Sequence, residues 1–210
     1  KICITGSNGK TTTTSIIYYL LKNAGLNVGL GGNIGASYAY QVATCDYDIY
    51  VLELSSFQLD GMYDFRADIA ILLNITPDHL DRYDHKMENY VKAKFRITQN
   101  MSQEDCFIFC EDDDITVGHL SQVVTKAKMF PFSQKRQVEQ GGYIKDDMMV
   151  VKCENEEYTM PLAELSLSGK HNIYNSLAAA ITGKIMKITN KVIRESLSSF
   201  KAVEHRLEKV

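Results

Sequence analysis

The sequence predicts an α/β fold: a mostly parallel sheet flanked by helices, with a small antiparallel β appendage. Three observations carry that expectation. Apolar runs with no polar face recur at 1–6, 47–55, 67–76 and 105–112, as strands covered on both sides require. Helical stretches stand between members of the series, at 9–25 and 86–101. After residue 125 the texture changes to short segments with turn residues between them.

"KICITG" reads as a buried strand, and "GKTTTTSIIYYLLKNAG" as the helix behind it. Ile16, Ile17, Leu20 and Leu21 fall on one helical face, and Gly25 supplies a stop. The second, third and fourth strands are "YDIYVLELS", "ADIAILLNIT" and "DCFIFCED". "AKMFPFS", "GGYIKDDMMVVKCENEEYTMPL" and "LSLSG" read as short antiparallel strands, with Asp146-Asp147 as a turn. Two helices, 171–187 and 190–200, close the series. The length of 210 residues suits one domain with a sizeable core.

Composition narrows the function. A net charge of −3 gives no general affinity for polyanions, so nucleic acid is not an expected partner and any phosphate site must be local. No apolar run reaches the roughly 18 residues of a membrane span. The five cysteines (Cys3, Cys45, Cys106, Cys110, Cys153) are odd in number and scattered, which favours reduced thiols in a cytoplasmic protein. Cys106 and Cys110, four apart in "CFIFC", read as buried strand thiols and not as half of a zinc site.

Chemistry enters at "GSNGKT". A Walker A loop keeps four residues between its glycines, whereas Gly6 and Gly9 keep two. The plainer alternative is a glycine turn with a helix-capping run of threonines. Gly-Lys-Thr at a strand-to-helix junction favours phosphate: Gly6 and Gly9 let backbone N–H groups turn inward, with Asn8 between them in the expected nucleotide-binding loop, and the helix N-terminus adds positive charge. Lys10 can reach outer phosphates and Thr11 can offer its hydroxyl to Mg²⁺. The sheet is then of the P-loop type. A magnesium-nucleotide site also needs a carboxylate on a neighbouring strand, and Glu53, ending the apolar run of "VLELSS", qualifies.

"GSNGKTTT", "GGNIG", "ELSSFQL", "NITPDHLDRY", "YVKAKFRI", "GKHNIYNSLAA" and "EHRLE" stand in the order seen in the Mur ligases of peptidoglycan synthesis, and the chain resembles that family over its whole length. The family's ATP loop has this shorter glycine spacing. "ELSSFQL" and "GNIG" resemble its D-glutamate-adding member. The resemblance implies an ATP-dependent amide ligase that phosphorylates a substrate carboxylate and lets an amine attack the acyl phosphate. ATP, UDP-N-acetylmuramoyl-L-alanine and D-glutamate would be its substrates, Mg²⁺ at two sites its cofactor, and a monomer its form.

Matched to the family's motifs, Lys10, Thr11 and Thr12 would hold phosphates, and Thr11 with Glu53 one Mg²⁺. Asn33 and Ser55 would face the muramoyl substrate, and His79 would serve the second metal. Asn74, Asn175 and Arg206 would contact the nucleotide; Asn172 reads as a helix cap, His205 is left without a role, and His85 is solvated charge. Lys94 matches a lysine that carries a carbamate, which replaces +1 by −1 and offers oxygen ligands to a hard cation. Its rival Lys92 lies about 200° round the helix, on a different face. Residues 1–210 would be the central ATPase domain alone, without the family's N-terminal uridine-diphosphate-binding and C-terminal amino-acid-binding domains. Other expectations remain open: another Mur ligase, a folylpolyglutamate synthase-like ligase, or a non-catalytic nucleotide-binding module. A GTPase would show an N-K-x-D sequence, which is absent.

Overall fold

The structure, a computed structural model, describes residues 1–78 and 80–201. In chain order the elements are β1 (Ile2–Thr5), α1 (Lys10–Asn23), β2 (Val28–Gly32), α2 (Tyr38–Thr44), β3 (Ile49–Glu53), α3 (Ser56–Asp60), β4 (Ile69–Leu72) and α4 (Met87–Phe95). There follow β5 (Cys106–Cys110), α5 (Asp114–Leu120), β6 (Lys128–Ser133), β7 (Gly141–Lys145), β8 (Met148–Cys153), β9 (Glu156–Pro161), α6 (Lys170–Ile185) and α7 (Asn190–Ser199). The strands form one sheet in the order β2-β3-β1-β4-β5-β6-β7-β8-β9. Pairing is parallel from β2 through β7 and antiparallel from β7 to β9. The expected fold class holds, and the antiparallel strands are the end of the same sheet.

Alternation along the strands divides the core in two. Ile2 and Ile4 of β1, with Cys106, Ile108 and Cys110 of β5, face α1, α6 and α7. Cys3, Phe107 and Phe109 face α4 on the opposite side. Each isoleucine and phenylalanine among them contributes about 1.5–3 kcal/mol by leaving water. Ile16, Ile17, Leu20 and Leu21 of α1 are all buried, as their spacing predicts. Gly25, at φ 78°, ends that helix by donating to the Lys22 carbonyl at 2.9 Å.

Two expectations change, and one strand is new. β2 was not read from the sequence, because "VGLGG" carries too few side chains to show a strand pattern. A Cβ at Gly29 would stand 2.5 Å from both Gln41 Oε1 and Tyr47 Cδ2, so its glycine serves packing that only the fold creates. The "AKMFPFS" strand is parallel to β5, not antiparallel, because α5 carries the chain back between them. "LSLSG" is not a strand: a 3-10 turn at Leu162–Glu164 and bends lead into α6.

All five cysteines are free, and Cys106 and Cys110 are buried on β5. Among the described residues no helix is long and apolar enough to cross a membrane.

Candidate active site

At β1 the sheet order changes direction: β3 and β2 lie to one side, β4 and β5 to the other. Loops leaving the carboxyl ends of β1 to β4 therefore diverge around a crevice, where ligands of such sheets bind. The loop from Gly6 to Gly9 occupies it. Gly9 is the N-cap of α1 at φ 83°, and no side chain caps that helix start. A Cβ on Gly9 would also lie 2.6 Å from Asn175 Oδ1, so both conformation and space demand glycine. The first N–H groups of α1 have no side-chain cap, the arrangement in which a helix N-terminus can take an anion.

The loop is held from below and beside. Ser7 Oγ donates to the Thr76 carbonyl and accepts from the Thr76 N–H, both at 2.9 Å, and lies 3.1 Å from the Tyr90 hydroxyl. Asn74 clamps Asn8: its Oδ1 accepts from the Asn8 N–H at 2.9 Å and its Nδ2 donates to the Asn8 carbonyl at 3.0 Å. Asn175, from α6, accepts from the Thr13 hydroxyl at 3.1 Å. The loop and the helix behind it are thus held by residues from the exit of β4, α4 and α6.

Two lysines converge on one acceptor. Lys10 Nζ donates to the carbonyls of Gly6 and Ser7 at 2.9 and 3.0 Å. Lys94 Nζ donates to the same Gly6 carbonyl at 2.9 Å and lies 4.7 Å from the centre of the Tyr90 ring. Lys94 is 2% exposed. Burial foremost, and then the Lys10 charge, pull its pKa down to about 7, against the opposing pull of Asp78. Lys92 instead pairs with Glu88 on the exposed face of α4, 2.5 Å apart.

Glu53, at the end of β3, is 1% exposed. Parallel pairing sets it beside Ile4 of β1 and Gly32 of β2. Its Oε2 accepts from the Thr11 hydroxyl and its Oε1 from Asn33 Nδ2, each at 2.8 Å. A carboxylate so buried and held by neutral donors suits a hard cation, and a hydroxyl oxygen adjoins it. The donor set fits Mg²⁺. Among the described residues no three His, Cys, Asp or Glu side chains cluster as a metal cage. A magnesium ion commonly takes one or two carboxylates and completes its shell with phosphate and water oxygens.

The structure thus brings Gly6, Asn8, Gly9, Lys10, Thr11, Asn33, Glu53, Asn74, Lys94 and Asn175 to one crevice, with Thr12 in the first turn of α1. Ser55 caps α3, accepting from the Gln58 N–H at 3.2 Å in a reciprocal capping box. Asn172 is not the N-cap expected of it. Gly169 takes that place, and Asn172 Nδ2 donates to the Ser168 carbonyl at 2.8 Å from within the first turn. His79 and Arg206, with His205, lie outside the described residues. The sequence places Tyr90 one turn before Lys94, and the structure joins it to the loop through Ser7. Ser7, Thr13 and Thr76 are not among the sequence-predicted residues, and a serine inside the glycine loop is the available signal for the first.

The Mur ligase middle domain family matches residues 4–183. The chain is 58% identical over 209 residues to a UDP-N-acetylmuramoylalanine--D-glutamate ligase of Bacteroides fragilis, covering 100% of this chain and 47% of that protein. It is 52% identical to the enzyme of that name from Porphyromonas gingivalis, again over 100% of this chain and 47% of the relative. The chain therefore spans about half the length of these curated relatives. Among solved structures, a UDP-N-acetylmuramoyl-L-alanyl-D-glutamate--2,6-diaminopimelate ligase superposes with a TM-score of 0.75 at 21% identity, over 98% of this chain and 47% of that one. MurF from Acinetobacter baumannii gives 0.72 at 17%, over 98% and 47%. At these identities the structures speak for the fold.

Proposed function

The chain belongs to the Mur ligase family through its middle domain, and from that premise we propose that it is the ATP-binding centre of a longer ligase that joins D-glutamate to UDP-N-acetylmuramoyl-L-alanine. The observation that carries the reading is the buried Glu53 carboxylate bonded to the Thr11 hydroxyl at the uncapped start of α1.

In this reading the outer phosphates of ATP lie on the N–H groups of α1, with Lys10 beside them and Asn74 and Asn175 toward the nucleotide. Arg206 would add a further cation. The substrate carboxylate attacks the γ-phosphorus and releases ADP. The D-glutamate amine then attacks the acyl phosphate carbon, loses a proton, and expels inorganic phosphate through a tetrahedral intermediate. Two anions must be brought together, so Lys10 and the helix N-terminus neutralise charge that would otherwise repel. Magnesium, when bound, supplies more of that neutralisation. Glu53 and Thr11 would hold one ion; His79 and Lys94 as a carbamate would serve a second. Lys94 suits the modification, since a pKa near 7 leaves neutral amine for CO₂ to join. Asn33 and Ser55 would exchange their present partners for the muramoyl substrate. The setting is a cytoplasmic monomer.

The test is phosphate release by the longer chain with UDP-N-acetylmuramoyl-L-alanine and one of D-glutamate, D-alanine, L-lysine or diaminopimelate. Stimulation by D-glutamate alone is expected. Stimulation by another amine would instead indicate a different ligase, and ATP binding without phosphate release a non-catalytic module. The 210-residue chain should bind nucleotide weakly and not ligate.

A further inference from the structure

At the opposite end of the sheet, β6 and β7 part company. β5 and β6 pair at five positions, but β6 and β7 pair only at Phe132–Gly142 and Ser133–Tyr143. Pro131, with no N–H to give, stands just below the first of these pairs. Gly141 presses so closely on the Pro131 carbonyl that a Cβ there would lie 1.9 Å from it. The chain therefore enters β7 abruptly, and the lower part of β6 is left beside a gap.

That gap is a cleft of about 800 Å³, within the usual range of small-molecule sites. The turn from β8 to β9 and the connection from α6 to α7 form its other walls. Its upper walls are polar, while its base is apolar, with Cys106, Phe130, Cys153 and Ile188 each 9% exposed or less and Ile185 half-buried. One charge reaches this wall. Lys184, 7% exposed, donates from Nζ to Asn190 Oδ1 at 2.9 Å and to Glu156 Oε2 at 2.5 Å.

The pair is unequal. The Lys184 side chain is 4% exposed, whereas the Glu156 side chain is 71% exposed at the start of β9. A carboxylate so well hydrated gains little by staying with its partner, whereas a buried ammonium needs an anion. The α7 N-terminus, at Thr189 and Asn190 on the same wall, adds partial positive charge. At the mouth, exposed Lys128 and Lys187 are balanced by Glu104 and Glu154, so the rim sets no net preference.

We infer that this cleft is a second binding site, separate from the loop crevice, for a small amphipathic carboxylate whose anion displaces Glu156 from Lys184 and whose apolar body lies on Ile185 and Ile188.

The probe is hexanoate, with hexylammonium as its charge-reversed counterpart, titrated into the full chain by calorimetry and followed by NMR shifts of Lys184 and Cys153. Saturable hexanoate binding with shifts at both residues is expected, and hexylammonium should bind at least about tenfold more weakly. Glu156→Gln keeps an acceptor for Lys184 but removes the competing charge, so it should lower the melting temperature slightly and tighten hexanoate binding severalfold. Lys184→Met should weaken it by about tenfold or more. No saturable binding, equal affinity for the two probes, or unchanged affinity in Glu156→Gln would each overturn the inference. If Lys184→Met does not fold, Glu156→Gln alone decides.

Discussion

In β4 and β5 every residue is buried, whereas β9 alternates exposed and buried positions. The parallel strands return through crossovers on both faces, so both faces are covered and neighbouring strands run the same way. Their carboxyl ends then share one edge, and the loops leaving it bring Lys10, Glu53, Asn74 and Lys94 together. The antiparallel strands return through short turns, as at Asp146-Asp147 with φ 50° and 57°. Their polar side chains mostly go to water or pair across neighbouring strands, as Lys152 does with Glu157 at 3.6 Å. Glu53 and Lys94 are thus buried where parallel strands end, Asp105 is buried just before β5 against Arg66, and at the antiparallel end Lys184 is buried where the sheet is interrupted.

The contrast can be broken at its strongest point first. Phe107, fully buried between neighbouring strands on the α4 face, should cost about 3–5 kcal/mol when changed to alanine, read from urea unfolding. A loss below 1 kcal/mol, about that of an exposed site, would mean that the covered half is not the stable half.

Lys10→Ala should lower the affinity for magnesium-ATP by roughly a hundredfold, about 3 kcal/mol, with little change in melting temperature. The lysine bonds to loop carbonyls and carries little core packing. Unchanged affinity by calorimetry would remove the phosphate role from this edge.

The Lys94 charge gives a pH signature. Its pKa falls from 10.5 to about 7 on folding, so between those values the unfolded chain holds more protons and stability rises with pH. In metal-free, CO₂-free buffer, the gain from pH 7 to pH 9 should exceed that of Lys94→Met by about 2 kcal/mol. Parallel pH profiles for the two proteins would show that the buried ammonium imposes no strain on the fold.

The smallest expected effect lies at the antiparallel end. Asp147→Gly, at a position with φ 57°, should raise stability by about 0.5 kcal/mol by relieving a left-handed backbone. A clear loss would mean that the Asp147 side chain holds the turn.

By itself the sequence determined the elements whose pattern is local. Continuous apolar runs gave β1, β3, β4 and β5, and spacing gave α1 and the burial of Ile16, Ile17, Leu20 and Leu21. It also set Lys94 apart from Lys92, since helical geometry turns neighbours in sequence to different faces. Ordered short motifs pointed to Lys10, Thr11 and Glu53. Tertiary structure decided the rest, because the physical partners are far apart in the chain. β2 exists because Gln41 and Tyr47 pack against its glycines, and the direction of β6 follows from where α5 returns the chain. Asn74 clamps Asn8 across 66 residues, and Asn175 reaches Thr13 across 162. Asn33 meets Glu53 because β2 and β3 pair in parallel, and two ammonium groups share the Gly6 carbonyl because α4 packs beneath the loop. A linear pattern records what one segment buries; which polar groups then face each other depends on strand order and helix placement, which no single segment contains.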